Sequence, residues 1–134
     1  MLLRVIYRHR SLPRYTTRRF CSPLQVSETV FESAAHDELQ SIGDRADSHL
    51  EFLGADSVEV HDGVLSIEFP RGVFVINKHA ASRQIWYSSP VSQPAYFDAF
   101  MDSGRKWWST RLKTDLRTKL AEDIHTLTGK RLEY

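Results

Sequence analysis

Carboxylates dominate the chemistry open to this sequence. Residues 28–62 hold Glu28, Glu32, Asp37, Glu38, Asp44, Asp47, Glu51, Asp56, Glu59 and Asp62 against a single base, Arg45. Like charges so concentrated repel one another, and a bound cation relieves that cost. Carboxylate oxygens suit hard cations, and a neighbouring imidazole adds a nitrogen that Fe²⁺ accepts. On a helix, Asp37, Asp44 and Glu51 recur every seven residues and line one ridge, with Asp47 beside it. His36 adjoins that ridge, and Glu32, His36 and Gln40 follow one another at four-residue steps. Such a site is open and shallow, with water completing the shell, so its affinity is modest. The same pattern also fits a plain solvated helix face, although solvated faces usually mix signs. His49, His61, His79 and His125 read as surface residues.

A second constellation joins Asn77-Lys78-His79 to Gln84-Ile85-Trp86. If Ile85 faces a core, strand alternation turns Gln84 and Trp86 to the opposite face, with Asn77 one strand over. A tryptophan among amide side chains is costly to leave in water and is a common interface anchor. The competing reading covers Trp86 with a neighbouring loop. Trp107 and Trp108 are adjacent, so in a strand one of them faces the core. No nucleophile–base–acid set and no glycine-rich phosphate loop is found. The paired Glu-x-x-His motifs of a dinuclear iron centre are also lacking, which limits any enzymatic role to slow oxidation of Fe²⁺.

Two helices and a run of strands must position these groups. Phe31, Ala35, Leu39, Ile42, Ala46, Leu50 and Leu53 form one apolar stripe, which predicts a helix over 28–53 with Ser27 as N-cap. Period-two patterning then predicts strands at 58–60, 64–69, 73–77, 85–88, 96–100 and 107–108, with Asp62-Gly63 as a tight turn. Leu112, Leu116, Leu120, Ile124 and Leu127 form a closing helical stripe, ended by Gly129. The fold class is α+β: a two-layer sandwich, with both helices on one face of an antiparallel sheet of about six strands. The other face is left to solvent or to a partner.

The first 20 residues have a different character. They hold six arginines, hydroxyl side chains, scattered apolar residues and no acid. That is the composition of a mitochondrial transit peptide, and Arg18-Arg19-Phe20 before Cys21-Ser22 suits a matrix-protease cleavage site. A basic arm for nucleic acid is the competing reading. The expected organisation is a transit peptide over 1–21 and one domain over 22–134, in the mitochondrial matrix. Six of the 18 basic residues and none of the 17 acids lie in that leader, so the remainder carries −5. This balance argues against nonspecific nucleic-acid binding. No stretch is long enough to span a bilayer. With Cys21 the only cysteine, an intrachain disulfide is impossible.

The runs Gly63-Val64-Leu65, Val75-Ile76-Asn77-Lys78 and Arg83-Gln84-Ile85-Trp86-Tyr87-Ser88-Ser89-Pro90 resemble the frataxin signature. The likeness extends from about residue 27 to residue 128 and includes the order of acidic helix, strand meander and leucine-rich helix. The resemblance implies an accessory protein of iron–sulfur cluster assembly. It would dock on the cysteine desulfurase–scaffold complex and promote sulfur transfer, iron delivery or both. Iron (Fe²⁺/Fe³⁺) would be bound weakly at the acidic surface. A weak ferroxidase or iron-storage protein is the alternative. By position, the metal roles fall on His36, Asp37, Asp44, Asp47, Glu51, Asp56 and Glu59, and the partner roles on Asn77, Gln84 and Trp86. The implied state is a monomer, with oligomers admitted in the presence of iron. Relatives usually carry a basic residue and then a tryptophan on the fifth strand. The matching Tyr96-Phe97-Asp98-Ala99 has neither, so that part of the partner surface differs, or Trp107 or Trp108 stands in. The first helix has fewer consecutive acids than some relatives, which argues against multi-iron loading.

Overall fold

Apolar residues at helical spacing, then at strand spacing, then again at helical spacing give a helix–sheet–helix chain. A computed structural model describes residues 26–100 and 106–134. The expected transit peptide and Cys21 lie outside them. Helix α1 spans Glu28–Ser48, and Ser27 caps it by accepting the Val30 N–H. Its buried stripe is Phe31, Ala35, Leu39, Ile42 and Ala46, as the periodicity predicts. The helix does not run on to residue 53. His49 leaves helical geometry, and a separate turn, α2, covers Leu50–Leu53 before Gly54 enters the left-handed region at φ 73°. The local cause is competition for a carbonyl. Ser48 Oγ donates to the Arg45 C=O at 2.8 Å, and His49 Nδ1 lies 3.0 Å from the same oxygen. Side chains that take backbone partners in this way loosen the helical ladder.

Seven strands follow, one more than expected: β1 Ser57–His61, β2 Val64–Phe69, β3 Gly72–His79, β4 Gln84–Ser88, β5 Ala95–Phe100, β6 Lys106–Ser109 and β7 Thr114–Asp115. They form one antiparallel meander in sequence order. The extra strand is only two residues long, too short to leave a periodic signal. Helix α3 spans Leu116–Thr128, with Asp115 accepting the Thr118 N–H at its start. Leu112, expected on its stripe, sits instead in the turn before β7 and is exposed. Asp62 and Gly63 both have positive φ, 48° and 75°, which suits the twist of a two-residue hairpin.

Both helices lie on one side of the sheet. Helix α1 crosses β1–β3, and α3 lies against β6 and β7. Between the layers are Leu65, Ile67, Phe74, Ile76, Ile85, Tyr87, Phe97 and Trp107, all nearly inaccessible to solvent. Phe31 meets Trp107 edge to face at 5.8 Å, tying α1 to β6. Close approach of α1 to β1 depends on Gly43, since a Cβ there would fall 2.5 Å from Val60 Cγ2. After α3 the chain turns back over the helices. Leu132 is buried, Arg45 Nε donates to the Glu133 carbonyl at 2.5 Å, and the Arg117 guanidinium lies over the Tyr134 ring. These residues cover part of the groove between α1 and α3.

Candidate functional site

Strand register decides which side chains share the uncovered face, because directly paired residues point the same way. Asn77 pairs with Trp86, and Trp86 pairs with Tyr96. In the next row His79 pairs with Gln84, Gln84 with Asp98, and Asp98 with Trp108. Asn77, Gln84 and Trp86 therefore stand together on the face away from the helices, as alternation about Ile85 predicts. Gln84 Nε2 donates to Asp98 Oδ1 at 3.0 Å. Trp107 belongs to the core, and Trp108 reaches the open face beside Asp98.

Trp86 is not bare. The His79 imidazole stacks on it at 3.8 Å and 12°, and Tyr96 meets it edge to face at 5.3 Å. Tyr96 itself is 49 % exposed, so the outer rim of the cluster is open. The indole N–H of Trp86 is the one buried side-chain polar atom among the described residues without a hydrogen-bond partner. A buried donor left unpaired costs about 1–3 kcal/mol. His79 and Tyr96 complete the aromatic cluster around Trp86, and sequence reasoning placed neither against it. The signal for Tyr96 was its pairing position opposite Trp86. His79 was hidden because a diagonal stack depends on side-chain rotamers.

The acidic residues form a surface and not a chelating cluster. His36, Asp37, Asp44 and Asp47 are exposed on α1, and Glu51 is exposed on α2 beyond the break. The seven-residue ridge is thus continuous only from Asp37 to Asp44. Asp44 already accepts from Gln40 Nε2 at 2.8 Å. Asp56 precedes β1, where its N–H donates to the Glu68 carbonyl at 2.7 Å. Glu59 is exposed on β1 and points away from Val58 and Val60, toward the open face. Among the described residues, no three His, Cys, Asp or Glu side chains converge as a metal would require. One Glu-x-x-His spacing does occur, Glu122 with His125, and both are exposed on α3.

Other charges are structural. Glu32 pairs with Lys78, holding the start of α1 against β3. Arg117 binds Glu38 through both carboxylate oxygens, at 2.8 and 3.0 Å, joining α3 to α1. Asp123 is buried on α3 and accepts from Tyr87 and Ser92 at 2.6 Å and from Lys119 at 2.8 Å. Burial acts to raise the Asp123 carboxyl, but the hydrogen bonds from Lys119, Ser92 and Tyr87 outweigh it and hold it below its ordinary value. Burial, with the Asp123 carboxylate beside it, pushes the Tyr87 hydroxyl up, so it remains a donor.

The family model described as the Frataxin-like domain matches residues 24–130, nearly the whole of this architecture. The chain belongs to the frataxin family. It is 37 % identical over 101 residues to the mitochondrial frataxin of Dictyostelium discoideum, covering 73 % of this chain and 52 % of that one. It is 33 % identical over 93 residues to the mitochondrial frataxin homolog of Saccharomyces cerevisiae, covering 69 % and 51 %. The chain thus spans about half the length of these two relatives. Among solved structures, trimeric yeast frataxin complexed with ferrous iron superposes with a TM-score of 0.63 at 33 % identity, covering 72 % of this chain and 87 % of that one. Frataxin from Psychromonas ingrahamii gives 0.65 at 19 % identity, covering 81 % and 97 %, a likeness of fold alone. The curated relatives are named as mitochondrial, and this frataxin-family chain is a mitochondrial protein. No described helix is long and apolar enough to cross a membrane.

Proposed function

We propose that the protein is an accessory factor of iron–sulfur cluster assembly in the mitochondrial matrix. In this reading residues 1–21 are removed on import, and the domain over 22–134 docks on a cysteine desulfurase–scaffold complex. One observation carries the docking assignment. The register brings Asn77, Gln84 and Trp86 onto one uncovered sheet face, where the buried Trp86 N–H lacks an acceptor. Docking that shifts the cover over Trp86 would let a partner carbonyl or carboxylate accept from that N–H and remove the unpaired-donor cost. The aromatic cluster around it supplies apolar area for an anchor.

Iron enters as cargo. Asp37, Asp44 and Asp47 on α1, with His36 on the same helix, Glu51 on α2, Asp56 before β1 and Glu59 on the open sheet face, offer exposed groups without a preformed chelate. One or two carboxylates with water completing the shell suit weak, exchangeable binding. That a yeast relative was crystallised with ferrous iron supports this assignment. The same negative surface would steer a basic partner patch toward the domain.

The test is desulfurase turnover on a matched desulfurase–scaffold complex, with and without residues 22–134, and with and without Fe²⁺. Stimulation is the expected result, and its iron dependence separates cargo from docking. No stimulation under either condition rejects the accessory role.

A further inference from the structure

The docking reading leaves an ionisable group in the middle of the anchor. His79 lies diagonally across from Trp86 in the β3–β4 register, and its ring covers the indole at 3.8 Å with only 12° between the planes. The stack is held from behind. His79 Nδ1 accepts the Ser82 backbone N–H at 3.3 Å and sits 2.7 Å from Ser82 Oγ. A neutral ring held in this way keeps its proton on Nε2. The imidazole is partly exposed, so protons reach it from solvent.

The charged groups around His79 are few, and most are engaged. On β5, Asp98 faces it across Gln84 and already accepts from Gln84 Nε2. In the β3–β4 turn, Arg83 directs its guanidinium to the Val26 carbonyl at 2.7 Å. Lys78 projects to the opposite side of the sheet and pairs with Glu32. His61 stands at the β1 end of the row that contains Asn77, and Tyr96 flanks the far side of Trp86. Across the open face the acidic strand positions are Glu59, Glu68, Asp98 and, at the β7 edge, Asp115, which also caps α3. Among the described residues Lys106, paired with Phe100 at the end of β5 and β6, is the one Lys or Arg strand position in that register. The face therefore fits a cationic partner surface, and a proton on His79 places a positive charge at its centre.

Resting on the docking reading above, we infer that His79 is a specificity-determining and proton-sensitive residue of the partner site. Neutral, it completes an uncharged aromatic plane with Trp86. Protonated, it repels the basic surface that the surrounding acids attract. Histidine is the side chain suited to this role, because its charge changes between about pH 5 and 8. One unit charge about 5 Å from a partner cation in a watery interface changes affinity by about three- to fivefold at low salt.

The experiment measures the affinity of the protein for the desulfurase–scaffold complex between about pH 5.5 and 8, for wild type and His79→Gln. The glutamine keeps a flat polar side chain without a titrating charge. Tryptophan emission is followed over the same range in the free proteins, since an imidazolium stacked on an indole quenches it. The expected result is wild-type docking about three- to fivefold weaker at the acid end. His79→Gln should be flat in relative affinity and should lack the emission step. An identical pH profile for the two proteins overturns the inference while leaving the docking site in place. Absence of docking by both, at every pH, overturns the docking reading and the inference with it.

Discussion

Replacing Asp123 with Asn gives a sharp test of how the layers are held. The wild-type carboxylate takes two hydroxyl donors, from Tyr87 and Ser92, on Oδ2 and the Lys119 ammonium on Oδ1. An amide offers one acceptor oxygen and one NH₂ group. With its oxygen toward Lys119 the amide must donate to the two hydroxyls, whose own protons then lose their acceptor, and the reverse orientation sets the NH₂ against the ammonium. Lys119 also loses its counter-charge in a site where its own side chain is only 17 % exposed. Loss of a hydrogen bond to a charged group costs roughly 1.5–3 kcal/mol, and a partly buried charge left unpaired adds to that. The expected loss is about 3 kcal/mol at neutral pH, a fall in Tm on the order of 15 °C for a domain of this size. The pH dependence follows from the sign of the shift. The folded carboxyl lies below its ordinary value, so its stabilisation is present above the unfolded pKa of about 3.9 and is lost as pH falls through the folded pKa. Urea unfolding of both proteins should show a difference that is constant from about pH 5 to 8 and shrinks below about pH 4. A neutral-pH difference under about 0.5 kcal/mol, or one that grows on acidification, would refute this reasoning.

Three further perturbations separate packing from function. Gly43→Ala places a methyl 2.5 Å from Val60 Cγ2. Overpacking of about 1–3 kcal/mol should exceed the helix-propensity gain of up to about 1 kcal/mol, and Val60→Ala should recover part of the loss in the double variant. Deleting residues 131–134 removes buried Leu132 and the Arg45–Glu133 hydrogen bond, and should lower unfolding free energy by about 2–3 kcal/mol, measured by urea titration. Reversing Asp44 and Asp47 to Lys should leave stability within about 0.5 kcal/mol, because both are exposed. It should weaken Fe²⁺ binding and slow docking roughly tenfold at low salt, a difference that fades at about 0.5 M salt.

Much of this was legible in the chain because burial on one side imposes a period. The stripe from Phe31 to Ala46, the alternation in β2 to β5 and the stripe from Leu116 to Leu127 each fix a face. From those faces the meeting of Asn77, Gln84 and Trp86 follows by counting. What stayed hidden depends on contacts without a period. The helix break at His49 arises from Ser48 and His49 competing for one carbonyl, and it detaches Glu51 from the ridge of Asp37 and Asp44. Strand β7 is too short to alternate, so Leu112 read as helical. Asp123 stands at the spacing of the α3 stripe, three residues after Leu120 and four before Leu127, and only the approach of Tyr87 and Ser92 supplies its partners there. The Trp86 stack likewise requires the rotamer of His79, which no spacing encodes.

The most direct test of the docking assignment is the equilibrium affinity of wild type and Trp86→Ala for the assembled desulfurase–scaffold complex, with folding of the variant confirmed by circular dichroism. Loss of a central aromatic anchor is worth about 2 kcal/mol or more, so the expected result is binding weaker by about 30-fold or more. A folded Trp86→Ala protein that binds as tightly as wild type would contradict the assignment of the open sheet face as the docking surface.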